Sequence, residues 1–253
     1  MNIIQLTPDN IAEEHICCVI ADKKGETCVS SKKAWLSARF ADGLVFKRLD
    51  ARGKVFIEYI PAEKAWCPIH ANGYMHINCF WVSGQFKGQG HGNRLLEECI
   101  ADAKAKGKHG LTILASNKKM PFLSDGAYLK KKGFHVADRA TPYFELLYLS
   151  FEAGAPLPRF RETAKSGKIE DSNGIVLYYT NQCPYTDKYA PVIRELALEQ
   201  GIPCQLVKLD SAEEAQVCPS PFTTYSLFYN GSFVTHEILT EKKFLAFLVE
   251  VRN

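Results

Sequence analysis

The sequence predicts an α/β (α+β) protein in which a mixed central sheet is followed by a second, smaller α/β unit. A strand-like apolar run over residues 74–82 leads through a glycine-rich turn, 86–92, into a helical pattern over 93–107. Two further apolar runs upstream flank a short turn, as in an antiparallel hairpin. After residues 151–173, where apolar periodicity is lost, a new series of strand and helix patterns begins near Gly174.

Length and composition narrow the class of protein. The 253 residues suffice for one large or two modest domains, and 46% apolar with 23% charged residues is typical of a soluble globular protein. A net charge of +3, without a basic run interleaved with aromatic residues, argues against a nucleic-acid partner. No apolar stretch reaches membrane-spanning length and the first ten residues lack the features of an export signal. We therefore expect a cytoplasmic protein that does not contact membranes.

The chain has nine cysteines at irregular spacing and no C-x-x-C pair. This pattern suits neither a disulfide framework nor a metal site, so we expect no metal and mostly buried thiols. The cysteines are Cys17, Cys18, Cys28, Cys67, Cys79, Cys99, Cys183, Cys204 and Cys218.

Two helices are predicted at the start of the chain. Thr7 is placed to cap a helix running through residues 11–20, with Pro8 at its first position. Ser31 is placed to cap a second, short helix over 32–41, which Gly43 would stop. 

Three strands follow. Residues 44–50 and 54–62 form the predicted hairpin, and residues 74–82 form the strand that leads to the glycine-rich turn. After the helix at 93–107, residues 111–116 read as the next parallel strand and residues 143–151 as the closing strand of the first unit.

The stretch Phe86–Gly92, FKGQGHG, places three glycines directly before a helix. A helix start exposes backbone N–H groups without intrahelical partners, and the aligned peptide dipoles make that end positive. Because glycine has no Cβ, a phosphate group can approach these N–H groups closely. The stretch is therefore a candidate pyrophosphate cradle, with an ordinary glycine-rich turn as the alternative.

The stretch resembles the acetyl-CoA loop of the GNAT superfamily of N-acetyltransferases, whose pattern is Arg or Gln, x, x, Gly, x, Gly or Ala. Gly90 and Gly92 take the glycine positions, and Lys87 takes the Arg or Gln position. The resemblance implies a splayed mixed sheet, acetyl-CoA as co-substrate and main-chain contacts from Phe80 and Val82 to its pantetheine arm. The residues it implies for the pyrophosphate are Lys87, Gly88, Gln89, Gly90, His91, Gly92 and Asn93.

A second stretch, YLKKKGF, resembles the family's segment beside the thioester, where Gly133 and Phe134 match. In many members a tyrosine four residues before that glycine protonates the leaving thiolate, and here this position is Leu129. Tyr128, one residue earlier, is the candidate general acid, although one residue is about a 100° turn on a helix.

Acetyl transfer to an amine also needs a group that takes a proton from the ammonium. Glu58, in the second hairpin strand, is the candidate base because Ile57 and Tyr59 point to the other face of the sheet. An outward carboxylate on a half-exposed sheet is the alternative interpretation, and Glu63 and His76 are weaker candidates.

The chain divides, on these patterns, into a GNAT-like domain over 1–150, a linker over 151–173 and a second domain over 174–253. The second domain begins with a strand, 175–180, followed by a helical pattern over 190–201. Its remaining predicted elements are a strand at 204–210, a hairpin within 220–237 turned at Asn230 and Gly231, and a helix at 241–253.

This order resembles the thioredoxin-like fold, with Cys183-Pro184-Tyr185-Thr186 at the first helix start and Pro221 ahead of the hairpin. A cysteine at such a turn is activated where the positive helix end stabilises its thiolate, so Cys183 is a candidate reactive thiol. Thr186 replaces the second cysteine of the usual pair. The combination of domains resembles acetyltransferases with a YoaP-type C-terminal domain.

Three functions stay open on the sequence. The first is an acetyl-CoA-dependent N-acetyltransferase whose acceptor is the amine of a small molecule or peptide, acting as a monomer or homodimer. The second is a thiol-dependent redox or ligand-capturing protein that works through Cys183. The third is a sensor that binds CoA without turnover, which Leu129 in place of the usual tyrosine would favour.

Overall fold

The computed structural model describes residues 1–16, 18–170 and 172–252 of the chain. The first 150 residues form one large sheet with helices on both faces. The elements of this part of the chain, in chain order, are β1 (Ile3–Leu6), α1 (Cys28–Arg39), β2 (Val45–Leu49), β3 (Val55–Pro61), β4 (Ile69–His70), β5 (Tyr74–Val82), α2 (His91–Ala105), β6 (Gly110–Ser116), α3 (Gly126–Lys131), β7 (His135–Ala140) and β8 (Phe144–Ser150), of which β4 lies outside the large sheet.

The large sheet has seven strands in the order β1-β2-β3-β5-β6-β8-β7. Neighbouring strands are antiparallel except β5 and β6, which are parallel. Parallel neighbours need a long crossover, and α2 supplies it. The sheet is therefore mixed, as predicted.

Alternate residues of β3 serve two cores on opposite faces of the sheet. Phe56 and Ile60 join the core that contains Trp35 of α1, whereas Ile57 and Tyr59 join the core beneath α2. This is the period of two that a strand imposes on its side chains. Glu58 therefore lies on the α1 side of the sheet, the face opposite to α2.

The predicted hairpin and the strands at 74–82 and 111–116 are confirmed. The helix ended by Gly43 is also confirmed, although α1 begins at Cys28 and a short 3₁₀ turn intervenes before Gly43, whose φ is 88°. The sequence analysis missed β1 and β7. As a result, the predicted closing strand, β8, lies inside the sheet instead of at its edge.

The helix predicted over residues 11–20 is wrong for the residues that the structure describes there, while Cys17 lies outside them. The segment after Thr7 forms successive turns. The Asn10 side chain accepts a hydrogen bond from the Thr7 backbone N–H at 2.8 Å, and the Ile11 and Glu14 N–H groups donate to the carbonyl oxygens of Thr7 and Asn10, but these turns do not continue into a helix among the described residues.

Asp22 explains the early start of α1. Its carboxylate accepts hydrogen bonds from the backbone N–H groups of Val29 and Ser30, at 2.6 and 3.0 Å. Burial raises the pKa of Asp22, but these hydrogen bonds outweigh burial and hold the pKa at about 2. A carboxylate from a preceding loop therefore performs the capping that the sequence analysis assigned to Ser31.

The rest of the chain builds a second sheet. The elements of this part of the chain are β9 (Arg159–Phe160), which lies outside the second sheet, β10 (Ile175–Tyr179), α4 (Pro184–Glu199), β11 (Cys204–Lys208), α5 (Ala212–Gln216), β12 (Tyr225–Tyr229), β13 (Ser232–Thr235) and α6 (Glu241–Arg252). Four of its strands pair in the order β11-β10-β12-β13, with β10 and β11 parallel and the other pairs antiparallel. We call residues 174–252 the second unit; its status as a separate domain stays a prediction.

The segment predicted as a linker, residues 151–173, is attached by strand pairing to the first 150 residues. Within it, β9 pairs antiparallel with β4, and both Phe160 and Ala164 are buried. The segment therefore packs as part of the core between the two sheets.

Hydrogen bonds and an ion pair join the second unit to the first sheet. The Gln216 amide donates to the carbonyl oxygens of Glu63 and Ala65, both at 3.1 Å. At the other end of the contact, Asp187 of α4 accepts a hydrogen bond from Thr27 at 2.9 Å, and Lys188 pairs with Glu26 at 2.7 Å. The two units share a core of buried apolar residues beneath these contacts.

His236 of the second unit ties down a loop of the first. Its Nε2 lies 2.8 Å from the carbonyl oxygen of Pro121, which can only accept, so Nε2 carries the proton. Nδ1 then accepts from the Tyr143 hydroxyl at 2.7 Å. Burial lowers the pKa of His236 to about 4, which keeps the ring neutral in this position.

No helix among the described residues has both the length and the apolar character needed to cross a bilayer.

The two buried histidines predict a pH-dependent stability. Burial lowers the pKa of both His76 and His236 from 6.5 to about 4. The unfolded chain therefore binds more protons between these values, and stability present above pH 6.5 is lost as the pH falls toward 4. We expect a loss of about 3 kcal/mol per histidine in the free energy of unfolding, measured by urea denaturation at several pH values.

His76→Asn is the matched control, because asparagine can keep the 3.0 Å hydrogen bond that joins His76 Nδ1 to Thr112 Oγ1. In this pH window the variant should take up about one proton fewer than the parent on unfolding. Its free energy of unfolding should therefore depend less steeply on pH. An unchanged slope would contradict the assignment of His76 to this transition.

Candidate functional site

The glycine-rich turn holds two residues in a left-handed conformation. Gly88 and Gly90 have φ values of 76° and 80°, which glycine adopts without the steric cost that other residues incur. Gly90 is also the residue from which α2 starts. In the described part of the chain, no side chain caps this helix and no acidic residue lies in its first turn. Its N–H groups are therefore available to an anion.

Gly92 is needed for a different reason, which is space. A Cβ at this position would lie 3.3 Å from the Tyr128 hydroxyl, 3.6 Å from Val82 and 3.7 Å from Phe80. The first turn of α2 thus approaches both β5 and α3 closely. The three glycines together bring backbone N–H groups to the edge of a cavity.

This cavity has a volume of about 700 Å³ and lies between α2, α3 and the end of β5. Four lysines contribute to its walls, which makes it suitable for phosphate groups: Lys87, Lys119, Lys131 and Lys132. Eight of the nine residues predicted to bind the cofactor line it: Phe80, Val82, Lys87, Gly88, Gly90, His91, Gly92 and Asn93. We call it the large cavity.

Gln89 is the ninth predicted residue, and it does not line the large cavity. Its side-chain amide turns back and donates to the Gln85 carbonyl oxygen at 2.6 Å. His91, in contrast, lines the large cavity. Its Nε2 is buried and has no hydrogen-bond partner among the described residues. An unpaired buried nitrogen at this wall is a vacant contact for a ligand oxygen.

The sheet opens beside the large cavity. Strands β5 and β6 pair from Tyr74 to Ile77, and the pairing then stops although β5 continues to Val82. On the other side of β5, the register shifts so that Glu58 faces Cys79 and Tyr59 faces Ile77, which leaves Asn78 as a bulge residue. The end of β5 therefore presents a backbone edge to which an extended, amide-bearing ligand can add.

Tyr128 and Leu129 both line the large cavity, but they differ in what they offer to it. The Tyr128 hydroxyl donates to Asn93 Oδ1 at 3.0 Å, and its ring lies 6.0 Å from that of Phe80. Leu129 is fully buried in the core beneath α2. Helix α3 is only six residues long, and Asp125 caps it by accepting from the N–H groups of Ala127 and Tyr128. This cap fixes the rotation of the helix.

Burial raises the pKa of Tyr128 above its ordinary value, so the hydroxyl stays protonated near neutral pH. A protonated hydroxyl at the wall of the cavity can donate a proton to a leaving group. The one-residue offset from the family pattern therefore does not remove this side chain from the site.

Glu58 lies behind the site, without direct access to it. The carboxylate is 1% exposed, pairs with Lys32 Nζ at 2.6 Å and accepts from the Asn78 amide at 3.0 Å. Asn78 lines a second pocket, and Glu58 does not. The sequence analysis did not predict this ion pair, because nothing in the residues around Lys32 on α1 indicates that its side chain is buried.

The second pocket adjoins the large cavity on the other side of β5. It has a volume of about 40 Å³ and shares Phe80, Trp81, Leu123 and Ser124 with the large cavity. Its remaining walls include Gln182 and the segment 221–224 of the second unit. We call it the small pocket. No sequence signal could have revealed it, because its walls come from stretches about a hundred residues apart.

Cys183 stands at the start of α4, as predicted, and is partly buried. Burial raises the pKa of its thiol to about 11, although the backbone N–H of Tyr185 and the nearby Lys32 lower it. Burial destabilises the thiolate here by more than the positive end of α4 stabilises it. The thiol is therefore protonated near neutral pH, contrary to the activation expected from its position.

Comparison with known proteins gives two family matches. The model described as the acetyltransferase (GNAT) family matches residues 12–124, and the one described as YoaP-like matches residues 203–245. A curated relative, the uncharacterized N-acetyltransferase YoaP of Bacillus subtilis (strain 168), is 48% identical over 244 residues, covering 96% of this chain and 97% of that protein.

Solved structures with some similarity include a GNAT family acetyltransferase of Brucella melitensis in complex with acetyl-CoA. It has a TM-score of 0.39 and 18% identity, covering 64% of this chain and 96% of that one. Another is yncA of Salmonella typhimurium with acetyl-CoA, with a TM-score of 0.42 and 15% identity, covering 62% and 96%. The sequence relative, similar along nearly its whole length, is the informative match.

Replacing Gly90 tests the cradle. Gly90→Ala adds a methyl group to a left-handed residue at the cavity edge, so we expect CoA to bind at least roughly tenfold more weakly by calorimetry. Gly107→Ala is the matched control, because Gly107 follows the other end of α2, also has a positive φ, and has open space around it. Equal CoA affinities for the two variants would exclude the cradle.

The Glu58 and Lys32 pair predicts a strong effect on stability. Glu58→Gln should lower the free energy of unfolding by about 3–5 kcal/mol, because it leaves a buried ammonium group without its partner. Lys32→Met combined with Glu58→Gln should recover much of this loss. Urea denaturation measures both, and a single variant as stable as the parent would show that the pair is not closed off from water.

Proposed function

The chain belongs to the GNAT family of N-acetyltransferases, and from this premise we propose that it transfers the acetyl group of acetyl-CoA to the primary amine of a small molecule or peptide. The observation that carries the proposal is the large cavity, in which uncapped N–H groups, lysines and an open strand edge occur together. Each of these features matches one part of acetyl-CoA.

The parts of acetyl-CoA match the cavity in order. The pyrophosphate suits the first turn of α2, where Gly88 and Gly90 leave the N–H groups uncovered and Lys87 adds a positive charge. The pantetheine arm carries two amides and suits the free edge of β5 near Phe80 and Val82. The thioester then lies near Tyr128, at the boundary with the small pocket.

The reaction needs one bond to form and one to break. The amine nitrogen attacks the thioester carbonyl carbon, the carbon–sulfur bond breaks, and the Tyr128 hydroxyl gives its proton to the departing sulfur. The tyrosine is then reprotonated from water. The proton released by the amine passes to water, because the Glu58 carboxylate is buried behind Asn78 and is already neutralised by Lys32.

The second unit supports a thioredoxin-like assignment by its strand order, in which one parallel pair is followed by two antiparallel strands. The chemistry of that fold is not favoured here. The Cys183 thiol has a raised pKa of about 11, and Thr186 uses its hydroxyl to donate to the carbonyl oxygens of Thr180 and Cys183. The CoA-sensor alternative is not favoured either, because the Tyr128 hydroxyl lies at the wall of the large cavity beside Asn93 and can take the role that Leu129 lacks.

Calorimetry with acetyl-CoA, followed by measurement of thiol release over a panel of amines, tests the proposal. We expect saturable binding and release that depends on an amine. Binding without release from any amine would favour the sensor, and absence of binding would overturn the assignment of the cavity.

Tyr128→Phe tests the proposed general acid. The variant keeps the ring against Phe80 but has no proton to give, so we expect kcat to fall by about 10²-fold with the KM for acetyl-CoA little changed. Tyr148→Phe is the control, because Tyr148 lies on β8 and lines neither the large cavity nor the small pocket. Equal kcat values for the two variants would remove Tyr128 from the reaction.

A further inference from the structure

We propose that the second unit forms one wall of the acceptor site, through Gln182 and Thr223, and that this site takes a primary amine with an apolar, uncharged body. The inference rests on the proposed function, since it concerns the acceptor of the same reaction. Its basis is the small pocket, which adjoins the large cavity at Phe80 and is closed by the second unit on its far side.

A chain of hydrogen bonds fixes this wall across the contact between the units. The Thr223 hydroxyl donates to the carbonyl oxygen of Trp66, which belongs to the first sheet's side of the molecule. The Gln182 amide nitrogen donates to the hydroxyl oxygens of Thr223 and Thr180, both at 3.1 Å. Thr180 and Thr223 are buried, so the amide is held in one orientation.

The same bonds show what Gln182 can offer a ligand. A side-chain amide has two N–H donors and one carbonyl oxygen. The two threonines use both donors, which leaves the oxygen as an acceptor at the wall of the small pocket. An amine or ammonium group is a donor and is complementary to that oxygen.

The walls of the small pocket contain no Asp, Glu, Lys or Arg among the described residues. A carboxylate or a second ammonium close to the reacting amine would lose its water there without gaining a partner of opposite charge. The volume of about 40 Å³ admits roughly three atoms the size of a water molecule. The amine and its first carbon atoms therefore enter, and that part of the acceptor is uncharged.

Two aromatic side chains mark the mouth of the pocket. Trp81 and Phe122 are each 38% exposed, which is unusual for residues of this size, and both line the small pocket. Phe122 also has a φ of 60°, a conformation that costs energy for a bulky residue and persists where the surroundings hold it. These rings offer an apolar surface to the body of the acceptor.

The second unit also holds the loop that carries Phe122. The preceding residue, Pro121, accepts the hydrogen bond from His236, and His236 is itself packed against Phe222 at a ring separation of 5.2 Å. Phe222 lines the small pocket as well. The second unit therefore shapes the site in two ways, by its own wall and by the position of this loop.

Matched amines test the acceptor class with the full-length protein. Phenethylamine and phenylalanine differ by one carboxylate beside the amine, and butylamine and 1,3-diaminopropane differ by a second ammonium. We measure kcat/KM from thiol release. We expect it to be at least roughly tenfold higher for phenethylamine than for phenylalanine, and for butylamine than for 1,3-diaminopropane. Equal or reversed preference would overturn the class.

Variants test the wall. Gln182→Met should raise the KM for phenethylamine about tenfold, because it removes the amide oxygen and the bonds to Thr180 and Thr223 that orient it, and should leave the KM for acetyl-CoA unchanged, because Gln182 does not line the large cavity. Gln205→Met is the control, since Gln205 is exposed on β11. Thr223→Val should raise the same KM, whereas Thr223→Ser, which keeps the hydroxyl, should restore the parental value.

The outcomes separate the two proposals. If the parent protein does not bind acetyl-CoA, the proposed function fails. If it binds acetyl-CoA and acetylates amines, but Gln182→Met and Thr223→Val keep the parental KM for phenethylamine, the transferase stands and the wall is excluded. If neither phenethylamine nor butylamine releases thiol while a charged amine does, the acceptor class is excluded.

Discussion

The separation of β5 from β6 after Ile77 is the constraint on which the site depends. Two paired strands satisfy each other's backbone groups, so a strand that leaves its neighbour must be supported elsewhere. Strand β5 keeps its antiparallel pairing with β3 up to Val82, and the bulge at Asn78 absorbs the change in register. One edge of β5 thereby faces the large cavity, while the bulge residue Asn78 reaches the small pocket.

The bulge that accompanies the separation of β5 from β6 also accounts for the buried ion pair between Glu58 and Lys32. At the bulge, Asn78 donates to Glu58, and Glu58 needs an opposite charge because a lone buried carboxylate is costly. Lys32 of α1 provides it at 2.6 Å, with its own ammonium group 4.4 Å from the centre of the Trp35 ring. Trp35 in turn packs edge-on against Trp66, whose carbonyl receives the Thr223 hydroxyl. A continuous series of contacts thus joins the bulge to the second unit.

The sequence was informative where local chemistry decides the structure. A glycine-rich turn before a helix, a strand of alternating faces and a parallel strand after a helix are properties of short stretches, and these elements were predicted correctly. The early start of α1 depends on the Asp22 carboxylate, which reaches N–H groups of the helix from the loop before it. The rotation of α3, the Glu58 pair and the small pocket depend on residues that are distant in the chain. Spacing alone contains no information about them.

Cys183 shows how such distant contacts can reverse a local expectation. The positive end of a helix, equivalent to roughly half a unit charge, stabilises a thiolate that lies beside it. This effect weakens quickly with distance from the terminus. Cys183 packs against the core of its own unit, where burial removes the thiol from water, and that cost falls on the charged form alone. Cys183 directly follows Gln182, so the loop that carries this residue of the proposed wall also carries a thiol that burial keeps protonated. In the acceptor site that we propose, this loop therefore contributes an amide oxygen and no thiolate.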